Sequence, residues 1–588
     1  MIMCGIIACL GDIASPYIIN GLNQLQNRGY DSAGLSLIYE NQWILKKYAS
    51  EHSIQQLRDQ VYPLSMNGIG HTRWATHGAK TVENSHPHKS YNGTFMVVHN
   101  GIIENYKVLK RFLIQKDYIF YSQTDTEIIA NLIDYYNKEY SVIDSIEKTI
   151  QSMEGTWGLC IQVLHEPNVL YCITHGSPLL VGNGGHFALV SSEYSGFCGK
   201  IPKYIELNSN DICKIEHINN TIHISTKDNY SLRKINMESF TESFEPYSHW
   251  TQKEIYEQNN SILNTIRRYK DGNIELGLNK EQLSNIEHII LLGCGTSYYS
   301  ACIGSKYIKK WCNFVSVQVF DAGEFTKYDI PKDKCVFIMV SQSGETKDLQ
   351  KCIEIVKGHI TIGLINKVDS VIARQVDYVC YLNAGREVGV ASTKSFVSQV
   401  TLLSLISLWF AQLQSGIQPH YNIIKDLIQL STDIEETLNI NMKSYVHLFD
   451  KDCFILGKDY DEYTAKEGAL KIKELSYIHA EGYSSSSLKH GPFALLETNF
   501  PVILICPRDE YWSKNENVYE EIKSRNATVI TITNEPLERE HTIMVSKNNT
   551  YQCILNMIPL QLLAYELAIR RGINPDKPRN LAKVVSVE

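Results

Sequence analysis

From His288 onward the chain alternates short apolar runs with helical stretches, and that alternation restricts the fold more than any other feature. His288–Leu292, Val315–Phe320, Cys335–Val340, Ile360–Ile365 and Tyr378–Leu382 are rich in β-branched and apolar residues. Strands that alternate with helices pair in parallel under helices on both faces, so the pattern predicts a doubly wound sheet. It then recurs. Cys453–Leu456, Pro501–Cys506, Thr528–Thr533 and Thr542–Val545 read as strands, with helices at Glu462–Leu475 and Val518–Arg525. Two related α/β units in tandem are expected. At 588 residues the chain is also too long for one core.

Upstream the texture differs. Residues 1 to about 225 carry short β-rich runs closed by turn signals, such as Phe95–His99 before Asn100-Gly101, with helical patterns around Glu127–Tyr136. An α+β domain fits. The expected boundaries are 4–225 for this domain, 226–260 for a polar linker containing Pro246, 261–430 and 431–572 for the two α/β domains, and 573–588 for a C-terminal tail. Phe396–Gln414 holds no charge, but its Ser, Thr and Gln residues favour a buried core helix over a membrane span.

Composition excludes several classes. The net charge of −8 is spread without long runs, so there is no electrostatic footprint for nucleic acid or an anionic membrane. Fifteen cysteines are scattered with no CxxC pair, which suits a reducing compartment and neither a disulfide framework nor a zinc ribbon. The first ten residues lack the basic start of a signal peptide. A cytoplasmic protein is expected.

Cys4 is the first chemical signal. If the residues before it are removed, it carries both a thiol nucleophile and an α-amine of pKa near ~8 that can serve as its base. Its alternative is a small buried residue opening a strand. Ile2 blocks removal of Met1, whereas Cys4 permits removal of Met3, so Met3 reads as the effective start. His71, His77, His86 and His88 invite a metal, but none stands in a His-Glu-x-x-His arrangement and no metal is expected. Asn100-Gly101 is either a hairpin turn or an oxyanion hole; Arg73 is a surface charge or a carboxylate fork; Asp125 is a helix N-cap or an ammonium ligand. Together, nucleophile, oxyanion hole and two clamps suit an amino-acid amide, glutamine.

In the first α/β unit two strand ends open into turns before helices: Gly293-Cys294-Gly295-Thr296-Ser297 and Ser341-Gln342-Ser343-Gly344-Glu345-Thr346. Hydroxyls and backbone N–H groups at a helix start favour a phosphate, against ordinary capping by Ser and Thr. No GxxxxGK[ST] run is present, which disfavours a nucleoside triphosphate. The second unit has no such turn, so one sugar-phosphate-sized site per chain is expected. Lys471 and Glu474 share a helix face with Glu467 nearby, as a surface ion pair or as acid–base groups. His490 lies beside a turn. Lys583, among apolar neighbours, is an exposed tail residue or an imine-forming amine.

These motifs, in this order, resemble the glutamine–fructose-6-phosphate aminotransferase (isomerising) family, the glucosamine-6-phosphate synthases, over essentially the full length. The likeness runs through Cys4-Gly5-Ile6, Arg28–Gly34, the Arg73-Trp74 block, Val98–Asn105, Thr124–Glu127, Gln252–Gln258, Gly295–Ser297, Ser341–Thr346, Gly389–Lys394, Glu467–Glu474, Leu488–Pro492 and Asn580–Lys583. The resemblance implies an α+β N-terminal-nucleophile amidotransferase domain followed by two α/β doubly wound SIS (sugar isomerase) domains. It implies a homodimer that takes L-glutamine and D-fructose 6-phosphate, without metal or organic cofactor, at the first step of hexosamine and UDP-N-acetylglucosamine synthesis.

By motif, Cys4 attacks the amide, Asn100 and Gly101 hold the oxyanion, and Arg73, Thr76, His77 and Asp125 hold glutamine, with Trp74 gating an ammonia channel. Thr296, Ser297, Ser341, Gln342, Ser343 and Thr346 hold the phosphate, with Val390 and Ser392 near the sugar. His490 from the partner subunit assists ring opening, Lys583 forms the imine, and Glu474 shuttles the proton between C1 and C2 with help from Lys471. The chain departs from the family in Met1-Ile2 before Met3-Cys4, Ser486-Ser487 for Gly-Glu, Val584 for Ser and Asn259 for Pro. Competing readings are an ammonia-dependent sugar-phosphate enzyme with Cys4 blocked, and a non-catalytic SIS sugar-phosphate sensor. A phosphoribosyl amidotransferase shares only the first-half logic.

Overall fold

The computed structural model describes residues 4–583 except 27, 28, 30, 51, 74–78, 235–242, 268, 271, 272, 369 and 416–420. The chain divides into two compact units near residue 240.

The first unit is built on two antiparallel sheets. Eight strands run in the order Arg233–Lys234, Lys203–Glu206, Leu180–Asn183, Ala188–Ser191, Gly5–Leu10, Asn67–Arg73, Ser32–Tyr39 and Gln42–Tyr48. Six run in the order Thr221–Ser225, Cys213–Ile218, Val169–His175, Gly155–Val163, Phe95–Ile103 and His88–Lys89. Side chains alternate across a strand, and Gly5–Leu10 uses both faces. Ile6, Ala8 and Leu10 meet Met96, Val98, Cys160 and Cys172 of the other sheet. Ile7 and Cys9 face the opposite way, in a cluster with Ile18 and Leu22 of the Ala14–Gln24 helix. Phe95 and Val97 turn to the outer face of their own sheet, beneath the Thr126–Tyr136 helix. The result is a helix–sheet–sheet–helix stack in which the N-terminal strand is central.

The second unit holds two five-stranded parallel sheets of the same topology. One runs Ser316–Asp321, His288–Gly293, Cys335–Ser341, Ile360–Ile365, Tyr378–Tyr381; the other runs His479–Ser484, Asp452–Gly457, Pro501–Ile505, Thr528–Thr533, Thr542–Met544. In both, strand order reverses beside the first strand in sequence, which places a crevice at the carboxyl ends of the first and third strands. Of the strands in these two parallel sheets, His479–Ser484 is the one the sequence pattern did not reveal: Gly482 and Glu481 interrupt any apolar run.

A single core joins the two sheets through the helices Thr296–Trp311, Lys394–Ser415, Tyr460–Ser476 and Gln552–Arg570. Lys394–Ser415 and Gln552–Arg570 are long and apolar enough to cross a membrane, yet 83% of the most apolar window of each is buried within the fold. They are core helices. Within 226–260, read from the sequence as a linker, Arg233–Lys234 edges the first unit's larger sheet, while the helices Trp250–Tyr256 and Gln258–Ile266 pack into the second unit.

Candidate functional site

In the first unit, Cys4 is buried at the head of the central strand, whose first backbone N–H, at Gly5, donates to the Thr72 hydroxyl at 3.1 Å. Asn100 belongs to the neighbouring sheet, and its Nδ2 donates to the Cys4 carbonyl at 2.9 Å. Gly101 follows at φ +149°, where an added Cβ would strike the Thr156 carbonyl at 1.9 Å, so only glycine fits. Arg73 ends the strand beside Cys4's own and is buried; the charges acting on it are Cys4, Asp31 and Asp125. Asp125 stands at the head of the Thr126–Tyr136 helix but makes no side-chain cap there; its Oδ2 accepts from the Ile103 N–H at 2.9 Å. Cys4, Asn100, Gly101, Arg73 and Asp125 therefore converge. Trp74, Thr76 and His77 lie outside the described residues.

The histidines beside this cluster are hydrogen-bonded and neutral. His71 and His86 stack at 4.0 Å between centroids, and His86 meets His88 edge-on at 4.8 Å. Burial pushes the His71 imidazolium down to about 3 and depresses His86, His88 and His99 as well. His71 Nε2 lies 3.0 Å from the His99 carbonyl and 3.1 Å from Asn100 Oδ1. Both partners accept, so Nε2 carries the proton and fixes the amide flip that aims Asn100 Nδ2 at Cys4. Among the described residues no group of three or more His, Cys, Asp or Glu is placed to hold a metal ion. The sequence suggested His71 only as a metal candidate. Its spacing from Asn100 carries no motif, and the contact exists only through sheet packing.

In the second unit, the two turns flank the crevice of the first parallel sheet. Ser341 and Ser343 are buried, with Ser341 Oγ accepting from Gly344 N–H at 2.9 Å and lying 3.1 Å from Thr346 Oγ1. Gly344, at φ +63°, packs so closely that a Cβ would meet Ser370 Oγ at 1.9 Å. Gln342 and Thr346 are half-buried in the same turn. Ser297 Oγ accepts from Gln399 Nε2 at 2.9 Å.

Next to it, Thr296 Oγ1 donates to Glu467 at 3.1 Å and accepts from Lys471 Nζ at 3.0 Å. Lys471 lies 2.6 Å from Glu474 and 3.4 Å from Glu467. Burial, opposed by Lys471 and reinforced by Glu474, raises the Glu467 carboxyl to about 8. Burial alone would lower the Lys471 ammonium, but its two carboxylate neighbours hold it above its usual range. The surface ion-pair alternative for this helix is thereby set aside: Lys471 is 1% exposed.

Lys583 is buried as well. Its Nζ donates to Glu387 at 2.5 Å and to Ser392 Oγ at 3.3 Å. Val390, in the same loop, donates its N–H to the Asp576 carbonyl of the tail at 3.3 Å. The Trp250–Tyr256 helix ties these pieces together. Its first N–H groups, at Trp250 and Thr251, donate to the Asp576 carboxylate at 2.9 and 2.7 Å, and Glu254 accepts from the Val388 and Gly389 N–H groups. Glu387 and Glu254 were absent from the sequence reading, although Glu254 falls in the Gln252–Gln258 run and Glu387 directly precedes Gly389–Lys394. His490 is exposed at the end of the Ser485–His490 turn, and no contact among the described residues joins it to Lys583 or Glu474.

A buried cysteine cluster near the start of a two-sheet sandwich, and hydroxyl-lined turns on the first of two tandem parallel sheets, define an amidotransferase joined to sugar-isomerase modules. The family model for the glutamine amidotransferase domain matches residues 71–198, and that for the SIS domain matches 282–408 and 450–571. A protein of Acanthamoeba polyphaga mimivirus, described as a probable glutamine–fructose-6-phosphate aminotransferase (isomerizing), is 43% identical, with both chains covered completely. The glutamine–fructose-6-phosphate aminotransferase (isomerizing) of Aquifex aeolicus is 36% identical, again over the whole of both. The C-terminal domain of glucosamine-fructose-6-phosphate aminotransferase from Francisella tularensis covers 57% of this chain and 100% of its own, at 32% identity and a TM-score of 0.53. The chain belongs to the glutamine–fructose-6-phosphate aminotransferase (isomerizing) family.

Proposed function

We propose that this chain transfers the amide nitrogen of L-glutamine to D-fructose 6-phosphate and isomerises the product, giving L-glutamate and D-glucosamine 6-phosphate. The observation that carries the reading is Thr296. Its hydroxyl stands between the phosphate-type turn of the first parallel sheet and the Glu467–Lys471–Glu474 helix of the second, within 3.1 Å of both Glu467 and Lys471. A sensor needs the turn alone. A buried acid–base array bonded to it suits proton transfer on a bound sugar.

In this reading residues 4–225 form the glutaminase. Cys4 Sγ attacks the amide carbon, Asn100 Nδ2 and the Gly101 N–H receive the oxyanion, and Arg73, Thr76, His77 and Asp125 clamp the amino-acid ends while Trp74 gates ammonia. Residues 226–260 connect this domain to the first SIS domain, 261–430, and the second, 431–572; 573–588 is the catalytic tail. Thr296, Ser297, Ser341, Gln342, Ser343 and Thr346 hold the phosphate, and Val390 and Ser392 line the sugar. Lys583 forms the imine at C2, and Glu474, kept in place by Lys471, moves the proton between C1 and C2. His490 opens the sugar ring of the partner subunit in a homodimer; its exposure on a turn supports that assignment.

The test is Cys4→Ala in the full chain. Glutamine-dependent glucosamine 6-phosphate formation should fall at least about a thousandfold, while fructose 6-phosphate binding measured calorimetrically stays within twofold. Retained glutamine-dependent synthesis would refute the nucleophile.

A further inference from the structure

The Lys583 ammonium ends on a carboxylate that has no part in the reading above. The Glu387 side chain is 0% exposed and held by several donors: Oε1 accepts from the Thr393 and Ser395 N–H groups at 2.9 and 3.1 Å, and Oε2 accepts from Ser395 Oγ at 2.9 Å. These donors head the Lys394–Ser415 helix, whose dipole favours an anion at that end. Oε2 is also the atom 2.5 Å from Lys583 Nζ. An ordinary buried ion pair rarely stabilises a fold over an apolar pair. This one lies on the atom assigned to the chemistry.

The charges around it are few. Lys583 comes from the tail, Glu254 from the Trp250–Tyr256 helix, and Lys394 from the helix head, where its ammonium is paired with Glu257 at 2.9 Å. Burial would push the Glu387 carboxyl up, but Lys583 and the Thr393 and Ser395 N–H groups hold it at about 2. Burial and the Glu387 charge push the Glu254 carboxyl up to about 8, against Lys394, Lys583 and the Val388 N–H.

We propose that Glu387 is a catalytic residue, the buried counter-ion of the Lys583 nitrogen throughout imine formation. The inference rests on Lys583 being the imine-forming amine. Ammonium and ketone become iminium and water, so Nζ begins and ends with one positive charge. The ammonium first gives up one proton to solvent. The neutral amine bonds to C2, its nitrogen proton passes to the carbonyl oxygen, and a carbinolamine results. The C–O bond then breaks as solvent returns the proton to the departing hydroxyl, which leaves as water while the Glu387 carboxylate faces the nitrogen that becomes positive. The iminium forms against the same carboxylate and is kept protonated, the state that an incoming ammonia attacks.

Cyanoborohydride, which reduces the protonated imine, reads this directly in the full-length protein with fructose 6-phosphate. Trapping on Lys583, located by peptide mapping, is followed against pH in wild type, Glu387→Gln and Glu387→Asp. Removing a counter-ion at this range should move the alkaline limit of trapping down by roughly 1–3 pH units. Yield at pH 8 in Glu387→Gln should fall at least about tenfold, with Glu387→Asp between the two and fructose 6-phosphate affinity within threefold. A purely structural role would lower the yield at every pH without moving the limit, and that result overturns the proposal. Should Glu387→Gln not fold, Ser395→Ala, which removes one hold on Oε2, must show the same shift at smaller size; an unshifted limit there overturns it too. Wild-type protein that traps no sugar on Lys583 refutes the imine reading and the counter-ion together. Trapping in wild type with an unshifted Glu387→Gln profile refutes the counter-ion alone.

Discussion

The two parallel sheets of the second unit share strand order and even a local conformation, and they present opposite chemistry. The helix after the first strand of one sheet is headed by Gly295, at φ 53° and ψ −123°; its counterpart is headed by Asp459, at φ 57° and ψ −114°. Around Gly295 stand Thr296, Ser297 and the Ser341–Thr346 turn. Around Asp459 stand Lys306, paired with it at 2.6 Å, and a cavity of about 230 Å³ walled by Trp311, Tyr460, Asp461, Asp509 and Tyr511. The backbone offers the same helix N-terminus twice. The side chains there decide whether an anion is welcome, and the second sheet instead supplies the helix that carries Glu467, Lys471 and Glu474. A fold repeated is not a site repeated.

Exchanging that one residue is the sharpest way to break the contrast. Gly295→Asp carries the strain of a positive φ, but Asp459 adopts the same backbone angles in the sister sheet and nothing lies within 4 Å of a Cβ built at Gly295, so the variant should still fold. A carboxylate there would face the phosphate dianion and weaken fructose 6-phosphate binding about a hundredfold or more. Unchanged affinity would mean the phosphate sits elsewhere. Ser343→Ala removes one charge-assisted donor and should cost about 1.5–3 kcal/mol, a ten- to hundredfold loss in calorimetric affinity. An effect below threefold would remove Ser343 from the cradle.

The smallest effect concerns stability in the second sheet. Burial raises the Asp461 carboxyl from 3.8 to about 7, with Asn556 and Thr464 lowering it only in part. An acid whose pKa is raised in the folded state holds its proton more tightly there than in the unfolded chain. Its contribution is complete below about 4 and is lost as pH climbs through about 7. Asp461→Asn should therefore gain thermal stability over wild type progressively across that window, by a few kcal/mol at most. Parallel melting midpoints from pH 4 to 8 would rule out the raised acid.

The legibility of this chain in its sequence follows the range of the interactions. Thr528–Thr533 is an uninterrupted β-branched run and Ile360–Ile365 departs from one only at Gly363 and Leu364, and the strands occupy those residues. His479–Ser484 pairs with Asp452–Gly457 at the sheet edge, where half-buried positions tolerate Glu481 and Gly482, so no apolar signal marks it. The same division holds at the sites. Ser341–Thr346 announces itself because a turn is local. Glu387 meets Lys583 across 196 residues, and His71 meets Asn100 across two sheets; neither pairing leaves a pattern in the chain.

The Trp250–Tyr256 helix limits how this protein can be divided. Its N–H groups hold the tail through Asp576, and its Glu254 holds the loop that carries Val390 and Ser392. A fragment cut after residue 260 would keep every strand of both parallel sheets, yet lose the clasp that brings Lys583 to Ser392. The smallest autonomous sugar module must therefore begin upstream of Trp250, inside what looks on paper like connecting chain, and any recombination or gene fusion that preserves the chemistry has to carry that short helix along.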